Sequence, residues 1–446
     1  MDYIIKNGIV VNDGRMEKRD LYISQGRIAE EGSELKDPQI CDVAGCYVMP
    51  GVIDTHVHFR DPGFPDKADF ATESRAALAG GVTSVVDMPN TNPQTTTLAD
   101  LEAKEQIAAE KSVVNYGFML GATNDNIRTL LDIPVERYAA IKLFLGSSTG
   151  NMLVNRQDAL DTLFKESKKL IVAHCESEDI ITANMRNFKM QFAGTDGETA
   201  ALHPKIRNRE ACFVSTYKAI ERARKYGTRF HVAHISTATE LSLLSNMGLE
   251  EKNITAEVTP NHLWFDDRDY EELGNMIKCN PAIKSNDDRM ALWGGLVDGL
   301  IDTIATDHAP HTLAQKQQRY FDAPGGIPSI QHSLQMMLEG FFSPAATERD
   351  DYADMLAEWL PLIVAKMCHN PAKIFGIEQR GFLNPGYKAD VVVVEPGEVI
   401  VDNNNIMYKC GWSPLVGQTF HTRIKQVFLN GMPAGESKAE ALTFNK

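Results

Sequence analysis

Apolar positions along this chain change their spacing twice. Residues 2–50 carry short alternating runs: Tyr3–Val11, broken at Gly8; Asp20–Ile23 and Arg27–Ala29 around the turn Ser24-Gln25-Gly26; and Cys41–Met49, leading into Pro50-Gly51. Period-two runs bounded by turn residues predict strands. At the far end, Ala389–Glu395 reads as an apolar strand, and Ile424–Leu429 enters a tight turn at Asn430-Gly431. Two β ends around a middle of different pattern predict one small β-sandwich built from residues 1–50 and 380–446.

The middle, residues 51–379, alternates strand and helix patterns. Apolar runs end near His58, Pro89, Leu120, Gly146, Glu176, Ser236, Pro260 and Ala309. Helical periodicity follows most of them, at Phe70–Gly80, Leu98–Lys111, Arg156–Lys168, Asn208–Tyr226 and Asp287–Gly299. Eight strands with intervening helices predict an α/β fold, a (β/α)8 TIM barrel. A doubly wound open sheet has the same local pattern, because periodicity does not report closure.

Active residues of such a barrel belong at the C-terminal ends of its strands, and polar residues interrupt the apolar runs there. The first strand, in Pro50–Arg60, ends in His56 and His58, which share one face because side chains two apart on a strand do. Ala139–Leu145 carries one lysine, Lys142, inside an apolar run; Leu170–Glu176 presents His174; Phe230–Ser236 presents His234; Ile301–His308 presents Asp307. Imidazoles and a carboxylate on neighbouring strand ends make a divalent-metal site, for which zinc, manganese and cobalt all fit.

Lys142 is unusual because an ammonium in an apolar strand is costly unless its pKa falls. A neutral amine adds CO₂ to give a carbamate, whose two oxygens would bridge two metals about 3.5–4 Å apart. The alternative is a snorkelling or salt-bridged lysine. Asp54 shares parity with His56 and would orient a ligand from behind. His231, three before His234, falls on the opposite face and is expected to be structural. His203, His332, His369 and His421 are expected on the surface or in packing, and His262 under the site.

Bulk properties narrow the partners. Hydrophobic content of 43% and charged content of 24% are those of a globular protein. A formal charge of -15 argues against nucleic acid and anionic membrane. No apolar run of about 18 residues predicts a membrane span. The start, Met1-Asp2-Tyr3-Ile4, lacks the basic and apolar regions of a signal peptide, and the seven cysteines are scattered without a CxxC. A cytoplasmic location is expected.

The segment Asp54-Thr55-His56-Val57-His58-Phe59-Arg60-Asp61-Pro62-Gly63, with Met88-Pro89-Asn90-Thr91, Asn280-Pro281 and Ala305-Thr306-Asp307-His308-Ala309-Pro310-His311, resembles the dihydroorotase family of the amidohydrolase superfamily. The resemblance covers nearly the whole chain. It implies reversible hydrolysis of dihydroorotate, a small-molecule substrate, to N-carbamoyl-aspartate, a step of pyrimidine biosynthesis.

It also implies roles. His56 and His58 would bind one metal and His174 and His234 a second, with zinc foremost. Lys142, N6-carboxylated, would bridge them, and Asp307 would be ligand and acid/base. Arg60, Asn90 and His311 would hold the substrate carboxylate, with His58 facing the substrate too. Asn280 would meet the ring amide, and Gly325 and Gly326 would form a substrate wall, although relatives often carry Phe where this chain has Gly325. A salt bridge to Asp61 is the other reading of Arg60. The resemblance further implies a homodimer and admits association with aspartate transcarbamoylase. Allantoinases and hydantoinases share the metals but open rings lacking this carboxylate. A non-catalytic scaffold for aspartate transcarbamoylase is a third reading, which the intact ligand set opposes.

Overall fold

A computed structural model describes residues 1–146, 152–195 and 197–445. Eight parallel strands form the barrel in chain order: Val52–Val57, Val82–Asp87, a third strand in two pieces (Asn115–Phe118 and Leu120–Gly121), Ile141–Phe144, Ile171–His174, Phe230–Val232, Ile254–Val258 and Thr303–Ile304. Each pairs with the next in parallel register, for example Lys142 opposite Val172 and Phe144 opposite His174. Closure comes after the short eighth strand. Val57 bridges His308 in parallel, and the His58 N–H donates to the His308 carbonyl at 2.8 Å. The open-sheet alternative is thereby excluded.

Local sequence accounts for the helices between strands. Leu98–Lys111 starts at a capping box in which Thr97 and Asp100 satisfy each other's backbone donors. Arg209–Tyr226 starts at Asn208, whose side chain accepts from the Ala211 N–H, and stops at Gly227, with φ 68°. The strands between them bury nearly every side chain, as parallel strands covered on both faces must.

Two further sheets lie outside the barrel, one from the N-terminal residues alone and one that joins both chain ends. One orders Arg27–Ala29, Leu21–Ser24, Tyr3–Lys6 and Gln39–Asp42. The other joins Arg15–Lys18, Ile9–Asn12 and Tyr47–Pro50 to Val391–Ile400, Thr419–Leu429 and Met432–Pro433. Ile5, Leu21, Ile23, Val48, Val391, Val393 and Phe428 are buried together between them. The chain enters the barrel at Gly51, where a Cβ would lie 2.0 Å from the Thr83 hydroxyl, so only glycine fits. The last residues leave the sandwich: Ala441 bridges Tyr116 at the start of the third barrel strand, and Leu442 and Phe444 pack with Met119 and Phe375.

Candidate active site

At the C-terminal ends of the barrel strands lies a cleft of about 510 Å³. His56, His58, Arg60, Asn90, Lys142, His174, His234, Asn280, Asp307, His311, Gly325 and Gly326 all line it. Thus the barrel brings together every residue expected at the site from the sequence. Phe64, Lys67 and Phe144 also line it, unforeseen. Phe144 had a signal, since it lies two after Lys142 on the same strand face.

Three of the lining residues leave ordinary strand geometry. Arg60, His234 and Asp307 have φ of 64°, 40° and 47°. The sixth strand ends at Val232 for this reason, shorter than the apolar run suggested, and His234 turns inward beyond it. Left-handed backbone at a non-glycine residue persists only where its surroundings over-determine it, and such residues cluster at functional sites.

Three of the imidazoles are each held through one ring nitrogen. Nδ1 of His56 lies 2.7 Å from Glu257 Oε1, Nδ1 of His58 lies 2.8 Å from Asn90 Oδ1, and Nε2 of His174 lies 2.9 Å from Glu176 Oε2. Arg207 pairs with the same Glu176 carboxylate. Burial would raise Glu176 and Glu257, but the groups around each together outweigh it, Arg207 and His174 for Glu176 and His56 and His231 for Glu257, and hold both well below the usual carboxylate range. Asp54 works through backbone: it accepts from the N–H groups of His56 and Thr306 at 3.2 and 3.1 Å, tying the first strand to the eighth. Burial pushes its carboxyl up to about 6.

An imidazole that donates its outer N–H turns a lone pair inward. Nε2 of His58 and of His56 then face Asp307 Oδ1 at 3.0 and 3.3 Å, and Nδ1 of His174 faces Nε2 of His234 at 2.9 Å. Between His58 and Asp307 a proton would need a charged imidazole, yet burial pushes His58 down to about 4; between His174 and His234, whose pKa values burial also lowers, one neutral N–H is the most they can share. Converging acceptors of this kind fit a cation. One ligand atom from each of His56, His234 and Asp307 lies within 4.8 Å of the others. Lys142 Nζ lies 3.4 Å from His56 Nε2 and 5.2 Å from the Phe144 ring centroid. Burial lowers its pKa, favouring the free amine.

Arg60 resolves differently from its simplest alternative. Asp61 pairs with Lys111 at 2.8 Å, and among the described residues no carboxylate forms an ion pair with Arg60. Its Nε donates to the Pro310 carbonyl at 3.2 Å, and Nη2 lies 3.2 Å from His311 Nε2. Burial lowers this guanidinium to about 10. Across the cleft, His203 was expected on the surface or in packing; it is buried, and its Nε2 lies 3.1 Å from Asn280 Oδ1, which turns the Asn280 NH₂ away from it. His262 lies beneath, 3.1 Å from the Pro281 carbonyl. His231 bonds Thr255 at 2.7 Å and does not line the cleft, as its parity implied.

Glu257, Arg207 and His203 are the functional partners that sequence reasoning passed over. Glu257 had a signal, a lone acid inside Ile254–Val258. Arg207 and His203 had none, since only folding brings them to the strand ends.

Known proteins share this architecture and sequence. The amidohydrolase family model matches residues 47–433. A dihydroorotase of Halobacterium salinarum is 33% identical over 92% of this chain and 91% of its own, and an Escherichia coli allantoinase is 30% identical over 96% and 94%. The solved L-hydantoinase (dihydropyrimidinase) of Arthrobacter aurescens superposes with a TM-score of 0.88 at 27% identity, over 99% of this chain and 98% of its own. The chain therefore belongs to the amidohydrolase family, among its cyclic amidohydrolases.

Proposed function

We propose that this enzyme is a dihydroorotase, which reversibly hydrolyses the ring amide of (S)-dihydroorotate to N-carbamoyl-L-aspartate in pyrimidine biosynthesis. The observation that carries this reading is Arg60: a buried guanidinium at the cleft wall, beside Asn90 and His311, with no carboxylate partner among the described residues. A buried cation needs a counter-charge, and the ring carboxylate of dihydroorotate supplies one in the fork geometry a guanidinium prefers. Hydantoin and allantoin rings carry no such carboxylate. The curated dihydroorotases among the relatives support the same choice.

In this reading His56, His58, His174, His234 and Asp307 would hold two divalent ions, zinc foremost, and Lys142, as its N6-carboxylate, would be the ligand they share. Ions so held would acidify a water and polarise the ring carbonyl. Asp307 would accept a proton from the attacking water and pass it to the departing ring nitrogen. Arg60, Asn90 and His311 hold the carboxylate, and the Asn280 amide meets the ring amide. The Gly325-Gly326 segment closes the other wall. There a Cβ on Gly325 would come within 3.0 Å of the Asn280 side chain, and one on Gly326 within 2.8 Å of the His311 ring.

Residues 51–379 would be the catalytic unit, and residues 1–50 with 380–446 the accessory one. Among the described residues no helix is long and apolar enough to cross a membrane. The cytoplasmic location, a homodimer and association with aspartate transcarbamoylase belong to the same proposal; sedimentation with and without the transcarbamoylase tests the last two. The deciding experiment is metal analysis of the purified protein, followed by hydrolysis assays with dihydroorotate, hydantoin and allantoin side by side. Preference for hydantoin or allantoin would overturn the dihydroorotase reading in favour of the other cyclic amidohydrolases.

A further inference from the structure

The Gly325-Gly326 wall is held by a buried lysine. Lys316 is 1% exposed and ends the short helix Leu313–Lys316. Its Nζ donates to the carbonyls of Lys278, Pro324 and Gly326 at 3.0, 3.1 and 2.9 Å. Among the described residues no carboxylate pairs with it, and the Trp412 ring centroid lies 5.7 Å away. The Gly326 N–H donates in turn to the Lys278 carbonyl at 2.8 Å. Lys278 Nζ reaches over to the Tyr320 carbonyl at 2.7 Å. Three N–H bonds to three carbonyls use the whole donor capacity of an ammonium. They fix the peptide on both sides of Gly325.

What Gly325 presents is its own carbonyl, 3.2 Å from His311 Nε2. Arg60 Nη2 also lies 3.2 Å from that nitrogen. One ring nitrogen cannot serve both. If it carries the proton, it donates to Gly325 and leaves the Arg60 N–H unspent. If it is bare, it accepts from Arg60 and uses up the edge that a substrate carboxylate needs. His311 Nδ1 has no hydrogen-bond partner, and a buried N–H without an acceptor is rarer than a bare lone pair. The imidazole is neutral, because burial and the charges of Arg60, Lys67 and Lys316 push it far below its usual range. The choice is therefore between tautomers.

We infer that Lys316 is a positioning residue: by clamping the Pro324 and Gly326 carbonyls it aims the Gly325 carbonyl at His311, selects the Nε2–H tautomer, and so keeps Arg60 free for the carboxylate of the substrate and gives His311 an N–H to share with it. The inference deepens the proposed function and rests on it for the identity of that carboxylate. The tautomer itself is independent of any substrate.

The test is nitrogen NMR on enzyme with ¹⁵N-labelled histidine, with the His311 signals assigned by their loss in His311→Asn. The wild type should show a protonated Nε2 and a bare Nδ1; a protonated Nδ1 overturns the inference. Lys316→Met should shift His311 toward the other tautomer, raise KM for dihydroorotate about tenfold and leave kcat within about twofold. An unchanged tautomer and KM in folded Lys316→Met would also overturn it. Should that variant fail to fold, the wild-type spectrum decides alone. Failure of the wild type to hydrolyse dihydroorotate would remove the proposed substrate but leave the spectrum standing.

Discussion

His56 Nδ1 lies 2.7 Å from the carboxylate of Glu257, and both side chains are 1% exposed. The pair spans the barrel from the first strand to the seventh. A carboxylate behind an imidazole fixes its tautomer and raises the basicity of the nitrogen turned inward. Glu257 also accepts from the His234 N–H at 3.2 Å, so one acid steadies histidines from two strands.

Glu257→Gln keeps this shape and removes the charge. Affinity for the divalent ion should fall about 10–100-fold. Chelator competition against the wild type measures it, and equal affinities would show that Glu257 does not tune the site.

Lys142 should be indispensable. Lys142→Ala should be inactive, with activity partly restored by a short carboxylic acid that takes the place of the carbamate. Purified wild type should hold up to two divalent ions and His174→Ala should lose the second, as elemental analysis would report. Full occupancy in a His56→Ala, His58→Ala double variant would contradict the ligand assignment.

Arg60→Met should weaken use of a carboxylate-bearing substrate. Losing a charge-assisted partner costs about 1.5–3 kcal/mol, or about 10–100-fold in kcat/KM. Equal binding of dihydroorotate by variant and wild type would remove Arg60 from the clamp and favour the hydantoinase reading.

Asp307→Asn keeps the side-chain shape but cannot accept a proton. Burial works upward on the Asp307 carboxyl, but the net shift is downward, so the wild type is ionised at neutral pH. The substitution should lower kcat about 10²–10⁴-fold, with KM less affected. A variant with bound metal and near-wild-type kcat would place the proton on another group.

Acid stability should depend on Asp288, far from the cleft. It accepts from Arg209 Nε at 2.9 Å, from the Ser285 hydroxyl at 2.8 Å and from the Ala238 N–H at 3.0 Å. Burial works upward on its pKa, but these bonds prevail and hold it below 3.8. The unfolded chain therefore takes up the proton first as pH falls. The contribution is complete above about pH 4 and is lost as pH drops through the depressed folded value. Melting temperatures of Asp288→Asn and wild type should differ most at neutral pH and converge in acid.

By itself the sequence determined what is local. Period-two parity put His56 and His58 on one face, apolar runs located six of the strands closely, and caps set the start of Leu98–Lys111. The polar interruptions His174, His234 and Asp307 marked the site because each ends an apolar run. Only the tertiary structure decided closure, because the eighth strand is two residues long and finishes through a single bridge between Val57 and His308. It also decided which partners hold the ligands. His56 and Glu257 are 201 residues apart, and Lys316 meets Lys278 across 38. Alternation records which way a side chain points, whereas a hydrogen bond across the barrel depends on the stagger of all eight strands. The left-handed turns at His234 and Asp307 are likewise invisible in composition, since neither residue type demands φ above zero and only the surrounding packing imposes it.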